Sequence, residues 1–237
     1  MLKHLVILCF LFECLSCNNF SDSYMVPNQE TIIIVDRTDP LTTNQQIRIL
    51  QEINLLKDEL RTNDIIAIYE VTGTLEVNFK NPLLIYNQLI PPNGNNCNEL
   101  TTTCNYVEED FKNFEDSFSK TIGNIKFDKS SNRSYILESI RMISKTKEFT
   151  SVKNKKVVIF SNMLQNSETI SHYRNYKSIS ELQNTSYLLD IDGSLIDTEV
   201  QIYMLLDRGD LQTKKLKQWW LDYFNITKAT TTTIRTF

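Results

Sequence analysis

Oxygen donors crowd three places in this chain. The apolar run Thr31-Ile-Ile-Ile-Val35 empties into Asp36-Arg37-Thr38-Asp39-Pro40, the run from Lys155 to Phe160 empties into Ser161-Asn162, and Ser130-Ser131-Asn132-Arg133-Ser134 stands ahead of a helical stretch. Carboxylate, hydroxyl and amide oxygens converging on one point make a hard-cation site, suited to Mg²⁺ or Ca²⁺. Asp and Ser are also preferred helix N-caps, and residue types alone favour that simpler use of Asp36 and Ser161. A fourth motif, Leu188-Leu-Asp190-Ile-Asp192-Gly193-Ser194, sets two carboxylates two residues apart. On a strand-end loop that spacing lets one carboxylate attack while the other protonates the leaving group. Read plainly, Asp192-Gly193 is a turn dipeptide. His4 lies in the leader and His172 stands in no recognisable nucleophile motif, so no convincing Ser-His-Asp arrangement assembles.

These residues need elements to position them. Thr31–Val35 is a β-branched run of the kind buried on both faces of a sheet. From about Thr42 to Arg61, Ile49, Ile53, Leu56 and Leu60 recur at helical spacing. Asp64–Val71 reads as a second strand and Pro82–Leu89 as a third. Phe111, Phe114, Phe118 and Ile122 form another helical stripe, and Ser134–Lys147 a third helix with Ile136, Ile140 and Ile143 on one side. Lys155–Phe160 is again an apolar strand, Glu199–Leu206 reads as the last strand, and Asp210–Phe224 as the last helix. Trp219, Trp220, Tyr223 and Phe224 belong on its packed face. Such alternation predicts an α/β fold of three layers, a mainly parallel central sheet with helices on both faces. Ligands of such sheets bind at the carboxyl ends of the strands, where two of the oxygen-rich tips fall.

The chain has 237 residues and a formal net charge of −4, with a sequence pI near 5.3. That balance argues against nucleic acid as a partner, because phosphate attraction needs a surplus of Lys and Arg. The start is basic, Met1-Leu-Lys-His4, and is followed by the unbroken apolar run Leu5–Phe12. A spanning helix needs about 20 apolar residues, so this run is too short to be one. A basic start, a short apolar core and polar residues after it describe an export signal. The ending Cys14-Leu15-Ser16-Cys17 resembles a bacterial lipoprotein signal, which implies lipidation of Cys17, a membrane anchor and a periplasmic or cell-envelope address. Cys14 stands where that pattern prefers Leu, and Glu13 is awkward beside an apolar core. Cys97 and Cys104 lie in PPNGNNCNELTTTCNY, which reads as loop. In an oxidising compartment they are expected to pair as a disulfide. The division that follows is signal 1–17, polar linker 18–29, α/β domain 30–226 and C-terminal tail 227–237, the last holding the low-complexity run Thr230–Thr233.

An apolar strand into Asp-x-Thr, a long helix, a Ser patch before a helix, and an apolar strand into Ser-Asn-Met together resemble the von Willebrand factor A domain. The resemblance runs from about Thr31 to Phe224. It implies a loop cluster at the top of the sheet that holds a divalent cation, and a binding module rather than a catalyst, with a protein as partner. Carried over, Asp36 and Thr38 match the first two positions of the family's metal motif, and Pro40 occupies the third, where a hydroxyl is expected. Ser134 or Ser131 is the candidate for the family's Thr, Ser161 ends the later strand, and Asn162 stands in place of its Asp. Losing a hydroxyl and a carboxylate weakens cation binding, which depends on ligand number and charge. The expectation is a degenerate or weak Mg²⁺ or Ca²⁺ site at Asp36, Thr38, Ser134, Ser161 and Asn162.

The Asp190/Asp192 motif resembles the opening motif of the haloacid dehalogenase-like phosphatases, implying a nucleophile and a general acid/base around Mg²⁺. That motif normally opens its domain, whereas here it falls near the end of the chain. The stretch after it supplies Lys214, Lys215 and Lys217 but no acidic pair. A phosphatase is therefore the second reading.

Overall fold

The computed structural model describes residues 28–61, 64–74, 84–86, 104–128, 130–174, 176–182, 185 and 192–237. Cys17, Cys97 and Asp190 lie outside the described residues, and with them the lipidation, the disulfide and half of the phosphatase motif.

The elements run β1 (Gln29–Asp36), α1 (Thr43–Asp58), β2 (Ile65–Val71), β3 (Leu84–Tyr86), α2 (Cys104–Gly123), α3 (Ile136–Ile143), α4 (Lys147–Ser151), β4 (Asn154–Ser161), α5 (Ile179–Leu182), β5 (Thr198–Met204), α6 (Lys214–Ile226) and β6 (Thr231–Thr236). They build one six-stranded sheet in the order β3-β2-β1-β4-β5-β6. β2, β1, β4, β5 and β6 are parallel, and the short β3 runs antiparallel at one edge. Alternate side chains of β1 feed two cores. Ile33 and Val35 pack with Ile49 and Ile53 of α1 and Phe114 and Phe118 of α2. Ile32 and Ile34 pack with Ile136 and Ile140 of α3 and Trp219, Trp220, Tyr223 and Phe224 of α6. The three-layer α/β expectation is met: α1 and α2 cover one face, the later helices the other.

Three local readings are corrected. The helix expected over Ser134–Lys147 stops at Ile143, and Thr146 caps a separate short helix, α4, by accepting from Phe149 N–H. Cys104, read as loop, is the first residue of α2. Glu199–Leu206 is not the last strand: Thr231–Thr236, in the segment expected as a tail, pairs with β5 over six residues. Thr and Ile are good strand formers, and a Thr-rich run beside β5 needs no apolar alternation to pair at a sheet edge.

The chain leaves β1 toward β2 on one side and later returns to place β4 on the other. The carboxyl ends of β1 and β4 therefore flank the point where the strand order reverses, the crevice where open α/β sheets bind ligands. Val35 is in register with Phe160, so Asp36 and Ser161 leave the sheet side by side.

Candidate functional site at the carboxyl ends of β1 and β4

Asp36 is buried, 4 % exposed, and both of its carboxylate oxygens are engaged. Oδ1 accepts from the Thr38 backbone N–H at 3.0 Å and from Thr38 Oγ1 at 2.6 Å. Oδ2 accepts from Ser161 Oγ at 2.7 Å and from Ser134 Oγ at 3.3 Å. One carboxylate thus ties together the loop after β1, the loop before α3 and the end of β4. Burial pushes the Asp36 carboxyl above the usual carboxylate range; the hydrogen bonds from Ser161 and Thr38 oppose that, and nearby Asp39 adds to it.

Ser134, not Ser131, reaches Asp36. It is held by a two-residue bridge in which Ser134 and Asn166 exchange backbone hydrogen bonds at 3.0 and 2.9 Å. Ser131 instead donates its N–H to Thr38 O at 2.7 Å and lies against Gly73 at the end of β2. A Cβ on Gly73 would fall 1.9 Å from Ser131 Oγ and 2.7 Å from Ser131 Cβ. Rotating the serine relieves only the first clash, so the loop itself must move. Gly73→Ala is expected to cost about 2 kcal/mol, with most of it recovered in Gly73→Ala/Ser131→Gly; urea titrations of these two variants, Ser131→Gly alone and the wild type measure this coupling.

Asn162 lies beside Asp36 but shares no hydrogen bond with it. Its Nδ2 donates to Asp39 Oδ2 at 2.7 Å, and its Oδ1 accepts from Leu164 N–H at 2.9 Å. The turn that sets it there passes through Met163 at φ 60°, a left-handed conformation that costs a non-glycine residue about 1 kcal/mol. Met163 is held by its N–H donating to Ser161 Oγ at 2.8 Å and its carbonyl accepting from Trp220 Nε1 at 2.9 Å.

Asp36, Asp39, Gln45, Asn162, Leu205 and Asp207 line a small recess above this cluster, with about 10 Å³ of interior space, roughly one water position. Pro40, where a third hydroxyl is expected, lies on its wall. Burial raises the Asp39 carboxyl, Asn162 opposes that, and Asp207 and Arg208 act on it with opposite signs. Exposed Tyr173 and Leu206 stand near this end of the sheet, and burial together with Asp39 and Asp36 pushes the Tyr173 hydroxyl up to about 12.

Two positioning residues escaped the sequence reading. Gln212, buried, donates from Nε2 to Leu205 O at 2.7 Å and Asn162 O at 3.1 Å, while its Oε1 accepts from the N–H groups of Asp207 and Arg208. Gln165, also buried, accepts from Leu137 N–H at the start of α3 and donates to Glu138. Nothing in the sequence marks either glutamine out. Asp39 was visible in the oxygen-rich tip, and Asp207 follows β5 as Asp36 ends β1.

Asp192 falls elsewhere. It precedes β5, in a turn where Gly193 has φ 70°, at the amino ends of the strands, and its exposed carboxylate pairs with Lys228 at 3.2 Å. Among the described residues no group of three or more His, Cys, Asp or Glu is arranged to hold a metal, and no helix is long and apolar enough to cross a membrane. No family model and no curated protein matches the chain.

Proposed function

We propose that this protein is an exported binding module of the von Willebrand factor A kind, held at the cell envelope through Cys17, that engages a protein partner with the loops around Asp36. The observation that carries this reading is the gathering of Thr38, Ser134 and Ser161 onto one carboxylate at the point where the strand order reverses. A rigid floor of that kind fixes the surrounding loops, which is what a recognition surface needs. Asp39, Asp207, Tyr173 and Leu206 stand around it and supply charge and apolar contact.

Any cation site here is weak. Asp36 spends both oxygens on four protein donors, Asn162 spends its oxygen on a backbone N–H, and Pro40 offers none. Calorimetric titration with Mg²⁺ and with Ca²⁺ is expected to give no saturation tighter than about 1 mM, the range of the loosest calcium modules. Without a cation, Asp39 and Asp207 leave the recess negative, which suits a Lys or Arg of the partner; with one, it suits a carboxylate. Affinity capture from envelope extracts tests both. A partner retained by the wild type in chelator and lost by Asp39→Lys/Asp207→Lys supports the metal-free reading. Capture that chelator abolishes reinstates the cation, and capture unaffected by the double variant removes this surface from consideration. The Asp190/Asp192 phosphatase is not favoured by any feature of the described residues.

A further inference from the structure

The two edges of the sheet are built differently. β3 is described over three residues, Leu84–Tyr86, antiparallel to β2. β6 presents six residues, Thr-Thr-Thr-Ile-Arg-Thr, and among the described residues nothing is paired on its outer side. Of the devices that blunt an edge it carries a single charged side chain, Arg235, and no proline, no lysine and no bulge in its register with β5. Phe237 N–H donates to Met204 O and Phe237 O accepts from Leu206 N–H, so odd-numbered residues turn their backbone groups toward β5. Thr232, Ile234 and Thr236 therefore turn theirs outward.

We infer that β6 is a self-association edge, pairing antiparallel with β6 of a second copy about a two-fold axis normal to the sheet. That symmetry keeps each face continuous across the joint, so a residue can lie opposite only one of its own parity. Charge selects the register. Arg235 on the edge strand and Glu199 on β5 beside it share the face covered elsewhere by α1; Glu199 accepts from Gln201 Nε2 at 2.7 Å, Arg235 lies 5.9 Å from the centre of the Tyr203 ring, and among the described residues neither has an ion-pair partner within 4 Å. Glu199 is in register with Thr231. With Thr233 opposite the partner's Thr233, Arg235 lies opposite the partner's Thr231 and reaches over that short side chain to the partner's Glu199. The ion pair forms twice, and no like charges face each other. Thr232 and Ile234 exchange backbone hydrogen bonds with their counterparts, and Thr–Thr pairing at the centre is itself favourable.

Sedimentation of the purified chain across the micromolar range is expected to show a reversible monomer–dimer equilibrium. Arg235→Glu should weaken the dimer about tenfold by setting two carboxylates together on each side, and Arg235→Glu/Glu199→Arg should restore it. Thr232→Pro removes an outward N–H and should yield a monomer that melts like the wild type. At the two-fold, Thr233→Cys places two thiols opposite one another in a non-hydrogen-bonded pair, with Cα atoms about 4.5 Å apart, and should oxidise to a covalent dimer where the wild type and Thr231→Cys do not. A wild type monomeric throughout, or a dimer indifferent to Arg235→Glu, overturns the inference. Should Thr232→Pro fail to fold, the charge exchange and the Thr233→Cys crosslink decide it alone.

Discussion

Asp36→Ala is expected to lower stability by about 4 kcal/mol, whereas Asp36→Asn should cost about 1 kcal/mol or less. The alanine strips the acceptor from two serine hydroxyls, a threonine hydroxyl and a backbone N–H that are all buried, and a buried donor left without a partner costs about 1–3 kcal/mol. The hydroxyls can rotate toward other acceptors, so the sum falls short of four full penalties; the Thr38 N–H cannot rotate. The asparagine retains one oxygen for Thr38 and turns an amide N–H₂ toward Ser134 and Ser161, whose oxygens accept as readily as they donate. It also removes a charge that burial disfavours, the cause that lifts the Asp36 carboxyl in the folded protein. Thermal melts measure the contrast. At roughly 2–4 °C per kcal/mol for a domain of this size, alanine should lower Tm by about 12 °C and asparagine by about 3 °C. Equal melting of wild type and alanine would mean that the carboxylate tethers nothing. An asparagine variant as unstable as the alanine would mean that the negative charge itself is needed, which is the signature of a cation held at the site.

That contrast separates what the sequence could show from what it could not. The apolar runs Ile32–Val35 and Val157–Phe160 have one interpretation in an alternating chain, strands buried on both faces, and the sheet follows from them. Asp36, Thr38 and Ser161 were legible because strand ends concentrate function in such sheets and their oxygens stand at those ends. Ser134 was legible only as one of two alternatives. What separates it from Ser131 is a backbone bridge to Asn166 and the close approach of Gly73, contacts between residues far apart in the chain. Asn162 shows the reverse. Its position in sequence matched a ligand, but the left-handed turn at Met163 directs its amide N–H to Asp39 and its oxygen to the Leu164 N–H. Gln165 and Gln212 left no trace, since a buried glutamine bridging two loops has the same letter as a solvated one. β6 was missed because Thr-Thr-Thr reads as low complexity until a neighbouring strand gives its backbone a partner.

The second large effect concerns acid. His172 is buried with its ring edge-on to Tyr176 and Trp219, centroids 4.6 Å away in each case, and Trp220 at 5.8 Å. Burial pulls its pKa down from 6.5 to about 4, only partly opposed by the Met163 carbonyl. Glu30, 1 % exposed at the start of β1, moves the other way: burial first, then repulsion from Glu148, raise it from 4.5 to about 7 against the pull of Lys155. The signs oppose each other. A histidine that folds neutral contributes stability present above pH 6.5 and lost as pH falls toward 4, because the unfolded chain takes up the proton first. A glutamate that folds protonated contributes stability that is lost as pH rises from 4.5 to 7, because the unfolded chain releases its proton first. Each is worth about 3 kcal/mol over its window. Between pH 4.5 and 6.5 they nearly cancel, and the two residues together should leave the wild type's stability almost level there. Single substitutions expose the hidden slopes. Glu30→Gln should gain about 3 kcal/mol relative to the wild type on going from pH 4.5 to 7, and His172→Gln should lose about as much from pH 4 to 6.5. Urea titrations at half-unit pH steps read this as a change of slope, which does not depend on any constant loss from repacking the aromatic pocket. If Glu30→Gln tracks the wild type at every pH, Glu30 is ionised in the fold, and the compensation between the two ends of the sheet does not exist.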